Sequence, residues 1–212
     1  MLTKEDLTTV VKLPAMTDIS LQLLQEFYEE YLCSNTYVYE LSDGLKIILN
    51  FYPENFCHLL GLQHIVPAHL KKNYRALPGY QGIKDGTITF NHLKSINKPR
   101  FKSMKDKFRY FPYIYQLLQN PQGIKYDWTK VKGSKIRCKL MLYDAYNNAT
   151  IHLGIEELNE DVGHYVARTF LIEKNKGDKF IKDQTPLDIK SVYITPKTDK
   201  EVMEQTASGS LR

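Results

Sequence analysis

A chain of 212 residues, 42% of them hydrophobic, can bury a core and is short enough for one domain; fifteen tyrosines and nine phenylalanines exclude a disordered polymer. No stretch approaches the roughly 20 apolar residues that span a bilayer and the first residues hold no apolar run of signal-peptide length, so a cytoplasmic protein with no membrane partner is expected. The net charge of +5 conceals an acidic beginning and a basic middle.

Residues 18–32 place Ile19, Leu23, Leu24, Phe27, Tyr28, Tyr31 and Leu32 at helical spacing, which predicts an amphipathic helix with Asp18 or Thr17 as its N-cap. Two β-rich runs around Ser42-Asp43-Gly44 then predict a hairpin over 36–51. Pro53 opens a short helix that Gly61 ends or bends, and a further helical stretch follows Pro67. Residues 73–87, rich in Gly and Pro, read as a loop; 89–119 read as helices divided at Pro99 and Pro112.

From Ser134 onward three β-rich runs predict an antiparallel meander, and IKSVYIT after Pro186 a last strand. The class is α+β: N-terminal helices and a hairpin, then an antiparallel sheet, with room for the hairpin to form a separate small sheet. Residues 1–200 are expected as a single domain and 201–212 as a flexible tail. Glu160 and Asp161 read as solvating a turn. Cys33, Cys57 and Cys138, odd in number and scattered, read as reduced, buried thiols.

Charge along the chain is uneven. Residues 1–60 carry three Lys/Arg and nine Asp/Glu, residues 61–145 seventeen and four, and residues 146–212 nine and eleven. A middle block this basic suits a polyanion, because each cation placed on a phosphate releases condensed counterions, although lysines also simply solvate helices. Within it, residues 94–115 interleave seven Lys/Arg with aromatic residues. We assign the aromatic rings to the core and the cations Lys71, Lys72, Arg75, Lys98, Arg100 and Lys102 to RNA contact.

The segment Phe56-Cys57-His58-Leu59-Leu60-Gly61-Leu62-Gln63-His64 is the most distinctive. On one straight helix its two histidines would point roughly 240° apart, so they converge only if Gly61 bends the backbone. Converged, one neutral imidazole can take a proton and one imidazolium can give one near neutral pH. On the later strands, alternation places Arg137, Lys139, Met141 and Tyr143 on one face, and a face showing Lys139, His152 and Arg168 would suit phosphate as well as plain solvation. No phosphate loop, nucleophile elbow, zinc-helix motif or acidic metal cluster occurs, so neither a metal nor another cofactor is expected.

FCHLLGLQHI, after a hairpin and before a basic helical region, resembles the F-x-H-L-x-G-L-x-H signature of phage-associated barnase–EndoU–colicin–RelE-like nuclease domains. The likeness in element order runs from about Tyr37 to Thr195. It implies functional weight for His58 and His64 and for the strand containing Arg168, Thr169 and Phe170. The function expected from it is a toxin-like, metal-independent endoribonuclease acting by 2′-OH transesterification, with Lys139 and Arg168 stabilising phosphoryl charge and Thr169 donating to the phosphate. RNA is the expected partner, with a cognate inhibitor or antitoxin protein as a further one. The alternative is a non-catalytic RNA-binding or protein-interaction module of phage or mobile-element origin.

Overall fold

The computed structural model describes residues 1–158, 162–175 and 177–198. The turn at Glu160 and Asp161 and the tail 201–212 lie outside these described residues. A short first helix, α1 (Lys4–Thr8), is held by a reciprocal capping box between Thr3 and Asp6. The expected amphipathic helix is α2 (Leu21–Phe27), prolonged by a wider π-type turn over Tyr28–Cys33. Its N-cap is Ser20 rather than Asp18 or Thr17. The Ser20 hydroxyl accepts from the Leu23 amide at 3.0 Å, whereas Asp18 is spent on the Ala15 amide at 2.8 Å.

Strands β1 (Asn35–Leu41) and β2 (Lys46–Asn50) make the expected hairpin. Helix α3 (Pro53–Leu60) starts at Pro53 and stops at Gly61, and tight 3₁₀ winding over Ala68–Tyr74 follows Pro67. The loop expected over 73–87 is largely a helix, α4 (Ala76–Lys84). Its glycines serve close packing: a Cβ on Gly79 would stand 2.8 Å from the Cys57 sulfur and 2.7 Å from Tyr74 backbone. Pro78 sits in the first turn, where no intrahelical amide bond is lost. Helices α5 (Phe90–Ile96), α6 (Lys98–Tyr110) and α7 (Tyr113–Gln119) are divided at the prolines as expected.

The remaining strands are β3 (Gln122–Lys125), β4 (Leu140–Tyr146), β5 (Ala149–Glu157), β6 (His164–Lys174), β7 (Thr185–Leu187) and β8 (Ile189–Pro196). All eight strands join one sheet in the order β7-β3-β4-β5-β6-β2-β1-β8. The β4-β5-β6 meander is antiparallel as expected, but β2 runs parallel to β6, so the sheet is mixed and the hairpin is no separate sheet. The hairpin buries Tyr37, Tyr39, Leu41, Ile47 and Leu49, a face that a two-stranded ribbon cannot cover alone.

Only Asp188 separates β7 from β8, yet these strands occupy opposite ends of the strand order. The sheet therefore curls until its edges nearly meet. A Cβ on Gly123 of β3 would lie 3.2 Å from Ile189 Cδ1 at the start of β8, and the Ser42 amide donates to the Asp188 carbonyl at 3.0 Å.

The larger core lies between the helices and one sheet face. Tyr28, Phe56, Phe111 and Phe170 form a chain of ring contacts with centroids 4.9, 5.6 and 5.7 Å apart, tying α2's extension and α3 to β6. A smaller core, Ile124, Tyr126, Val131, Cys138 and Met141, covers the other face. Met141 is thus buried, not part of a polar face with Arg137 and Lys139. The strand expected from Ser134 begins only at Leu140, because 126–139 folds over that second core. His152 is likewise fully buried, beneath Phe180 at 5.4 Å between ring centroids, so it belongs to no phosphate-facing surface.

Candidate active site

Helix α3 buries Phe56, Cys57, Leu59 and Leu60 and leaves His58 on its solvent side. Gly61, at φ 73°, then turns the chain into a 3₁₀ turn, Leu62–His64. Glycine suits this position because the left-handed backbone disfavours a Cβ, which would also displace the flexible end of the Met104 side chain of α6.

The bend does what the motif requires. The buried Gln63 side chain places Nε2 2.9 Å from His58 Nδ1 and 3.4 Å from His64 Nε2, so one amide bridges both imidazoles. As donor it leaves the ring protons on His58 Nε2 and His64 Nδ1. The Gln63 carbonyl oxygen is buried without a partner among the described residues. Gln63 carries no titratable group, and the signature leaves its position unspecified. Its place between the histidines in the chain is the only clue to it.

Lys107 of α6 is the second residue of the candidate site that sequence reading misses. Its Nζ donates to the Leu59 carbonyl at 3.4 Å, at the end of α3. Burial pushes its pKa down to about 8. Both His58 and His64 are held below the ordinary imidazole range, first by desolvation and next by the Lys107 charge. On a helical wheel Lys107 flanks the apolar stripe of Phe101, Met104 and Phe108, which is the signal that would have found it.

The other expected residues divide. Arg100 Nη1 donates to the His64 carbonyl at 3.4 Å, and Lys71 and Arg100 both contribute to lowering His64. Lys72, Arg75, Lys98 and Lys102 are exposed, with no ion-pair partner among the described residues. Arg168 occupies a β-bulge: Thr169 pairs with Gly154 and Ala167 with Ile155, leaving Arg168 as the extra residue of β6. It contributes the smallest part of His58's shift and pairs with Glu156 at 2.8 Å.

Lys139 and Thr169 stand apart. Lys139 is exposed and bound to Glu157 at 2.5 Å. Thr169 alternates with core residue Phe170 and crowds Gly154 beside Cys138, on the face away from α3. Among the described residues no three His, Cys, Asp or Glu side chains are grouped as metal ligands, and no helix is long and apolar enough to cross a membrane.

His58 and His64 are both exposed at the surface. A cavity of about 480 Å³, lined by Leu70, Tyr74, Gln81 and His92 among others, holds none of the expected residues. The arrangement therefore offers two accessible imidazoles joined by an amide, a partly desolvated ammonium beside them, and a fringe of guanidinium and lysine charge. Imidazoles of this kind can take and give protons.

The family profile described as phage-Barnase-EndoU-ColicinE5/D-RelE like nuclease 4 matches residues 20–204. No curated protein and no solved structure matches the chain.

Proposed function

Because the chain belongs to the phage-Barnase-EndoU-ColicinE5/D-RelE like nuclease family, we propose that it cleaves RNA by metal-independent transesterification at the His58–Gln63–His64 bridge. The observation that carries this reading is that bridge, with Lys107 beside it. In the reaction a base removes the ribose 2′-OH proton and O2′ bonds to phosphorus. The bond from phosphorus to O5′ breaks, and an acid protonates the departing O5′. The products are a 2′,3′-cyclic phosphate and a 5′-hydroxyl.

His58 is the base. A half-turn of the Gln63 amide would present its carbonyl to His58 Nδ1–H and free Nε2 to accept the proton. In turning, the carbonyl, unpartnered in its present position among the described residues, gains the imidazole N–H, while the amide NH2 gives up its two imidazole acceptors. His64 is the acid: the charge of the bound phosphate opposes the desolvation and the cations that depress its pKa and restores its imidazolium in the complex. Lys107 and Arg100, with Arg168, stabilise the charge that grows on the phosphoryl oxygens. Lys139, spent on Glu157, and Thr169, on the far sheet face, take no chemical step in this scheme.

Purified protein is incubated with total RNA in EDTA, beside His58→Ala, and product ends are assayed for cyclic phosphate. Cleavage by the wild type alone, leaving cyclic phosphate, is the expected result. Loss of cleavage in EDTA would remove the mechanism. Binding without cleavage by either protein would instead favour the non-catalytic RNA-binding module. A toxin role, restrained by a partner protein, predicts that the wild-type gene is poorly tolerated in cells and that His58→Ala relieves the burden.

A further inference from the structure

The loop of residues 126–139 between β3 and β4 takes no part in the chemistry above, yet it holds Lys130, Lys132, Lys135, Arg137 and Lys139 against one acid, Asp127. Asp127 is used locally, accepting from the Thr129 amide at 2.9 Å and the Thr129 hydroxyl at 2.6 Å. Lys130 Nζ donates to the Asp183 carbonyl at 2.9 Å and Lys139 binds Glu157. Lys132 and Lys135 are exposed with no ion pair among the described residues.

Trp128, the only tryptophan in the chain, is 42% exposed, whereas Tyr126 and Val131 of the same loop are buried in the smaller core. The indole is not bare. The Arg137 guanidinium carbon lies 3.6 Å from its ring centroid, a close cation–π stack. Arg137 Nη1 donates to the Ile136 and Ser134 carbonyls at 3.1 and 3.4 Å, which pins the guanidinium plane and leaves Nε and Nη2 without a protein partner among the described residues.

The platform is also stiff. The Tyr126 hydroxyl bonds Ser134 Oγ at 2.9 Å, and Gln184 bonds Asp127 twice, accepting from its amide at 2.7 Å and donating to its carbonyl at 3.1 Å. A planar, cationic, exposed and pre-ordered stack of this kind matches an unpaired nucleobase, whose π-face stacks on aromatic rings and guanidinium planes while nearby lysines meet the flanking phosphates. Fixing the loop in advance reduces the ordering cost of binding.

We infer that Trp128 and Arg137 form a base-stacking subsite for single-stranded nucleic acid, with Lys132 and Lys135 holding the adjacent backbone. The inference rests on the reading of the chain as acting on RNA and narrows the substrate to RNA with unpaired bases beyond the cleavage site. Stacking does not involve the 2′-OH, so the subsite accepts single-stranded DNA as well, and only the cleavage site distinguishes the two.

The test uses the full chain, with Trp128 as its own reporter. A short 2′-O-methyl oligouridylate, which cannot be cleaved, is titrated while tryptophan emission is recorded, and its affinity is measured separately by anisotropy of a labelled copy. Binding should quench the emission, the DNA equivalent should do the same, and a duplex should not. Trp128→Ala and Arg137→Ala should each weaken binding about tenfold, Trp128→Phe should retain most of it, and the melting temperature of all three should stay close to wild type. Binding without quenching, and with affinity unchanged in both alanine variants, would overturn the subsite and leave the nuclease reading standing; absence of binding would also overturn it. Quenching with weakened variants, in a wild-type protein that fails to cleave unmodified RNA, would keep the subsite and remove the nuclease reading.

Discussion

His58 at the end of α3 and His152 in the middle of β5 are both depressed below the usual imidazole range, in opposite surroundings. His58 is open to solvent, bridged through Gln63 to His64 and faced by Lys107 and Arg168. His152 is fully buried under Phe180 and Tyr143, pushed down to about 4 by burial, with neither ring nitrogen hydrogen-bonded among the described residues. The Glu173 carboxylate, 3.5 Å from His152 Nε2, would favour the charged form, but its geometry makes no hydrogen bond and the desolvation outweighs it. A low imidazole pKa therefore nominates a candidate site only where access, a second proton-transfer group and neighbouring cations accompany it.

The sharpest way to break this contrast is to remove His58. His58→Ala should lower cleavage by about 10³-fold and leave stability nearly unchanged, whereas His152→Phe should do the reverse near neutral pH. Comparable activity loss in both variants would place the chemistry elsewhere.

Next in size is Lys107→Met, with an expected loss of about 10²-fold. Wild-type cleavage should rise with pH as the imidazole base loses its proton below 6.5 and fall as the His64 acid loses its proton and Lys107 loses its own near pH 8. In Lys107→Met the part of the fall near pH 8 should vanish, leaving the fall set by His64, and the acid limb should move to higher pH, because the cation that opposed imidazole protonation is gone. An unaltered profile would confine Lys107 to packing.

His152 supplies the stability side of the comparison. Its folded pKa of about 4 lies under the ordinary 6.5, so the unfolded chain binds more protons between these values. The stability contribution is intact above pH 6.5 and is lost as pH falls towards 4, a change of roughly 3 kcal/mol. Denaturant melts of His152→Phe should show a shallower decline over that window than wild type; parallel curves would count against the buried neutral imidazole. The smallest effect belongs to the outer cations. Lys98→Ala and Lys102→Ala should each weaken RNA binding a few-fold at low salt and lower the salt slope by about one unit.

What could be read from sequence was local. The Pro53 start, the Gly61 stop and the bend that lets His58 and His64 converge are encoded within a dozen residues, and so are the hairpin turn and the meander. What could not be read depends on packing between distant segments. The glycines of α4 look like breakers but are contact points for Cys57 and Tyr74. Strand alternation assigns His152 to a polar face, but Phe180, far along the chain, covers that face. Lys107 reaches the histidines only because α6 lies against the end of α3. The Arg168 bulge follows from pairing with Gly154 and Ile155, which nothing around Arg168 itself reveals.

The seam at Asp188 bears on how the molecule comes to exist in time. β8 pairs along β1, with Thr36 opposite Thr195, so the ring of strands is clasped by almost the last described piece of chain to leave the ribosome. Such long-range closure is slow relative to local helix formation. Until it occurs, β1 offers an open row of amides and carbonyls to any strand that arrives first, its own sister chains included. A polypeptide halted before β8 would keep the histidine bridge in its sequence but expose a sticky edge, and its fate would be aggregation before catalysis.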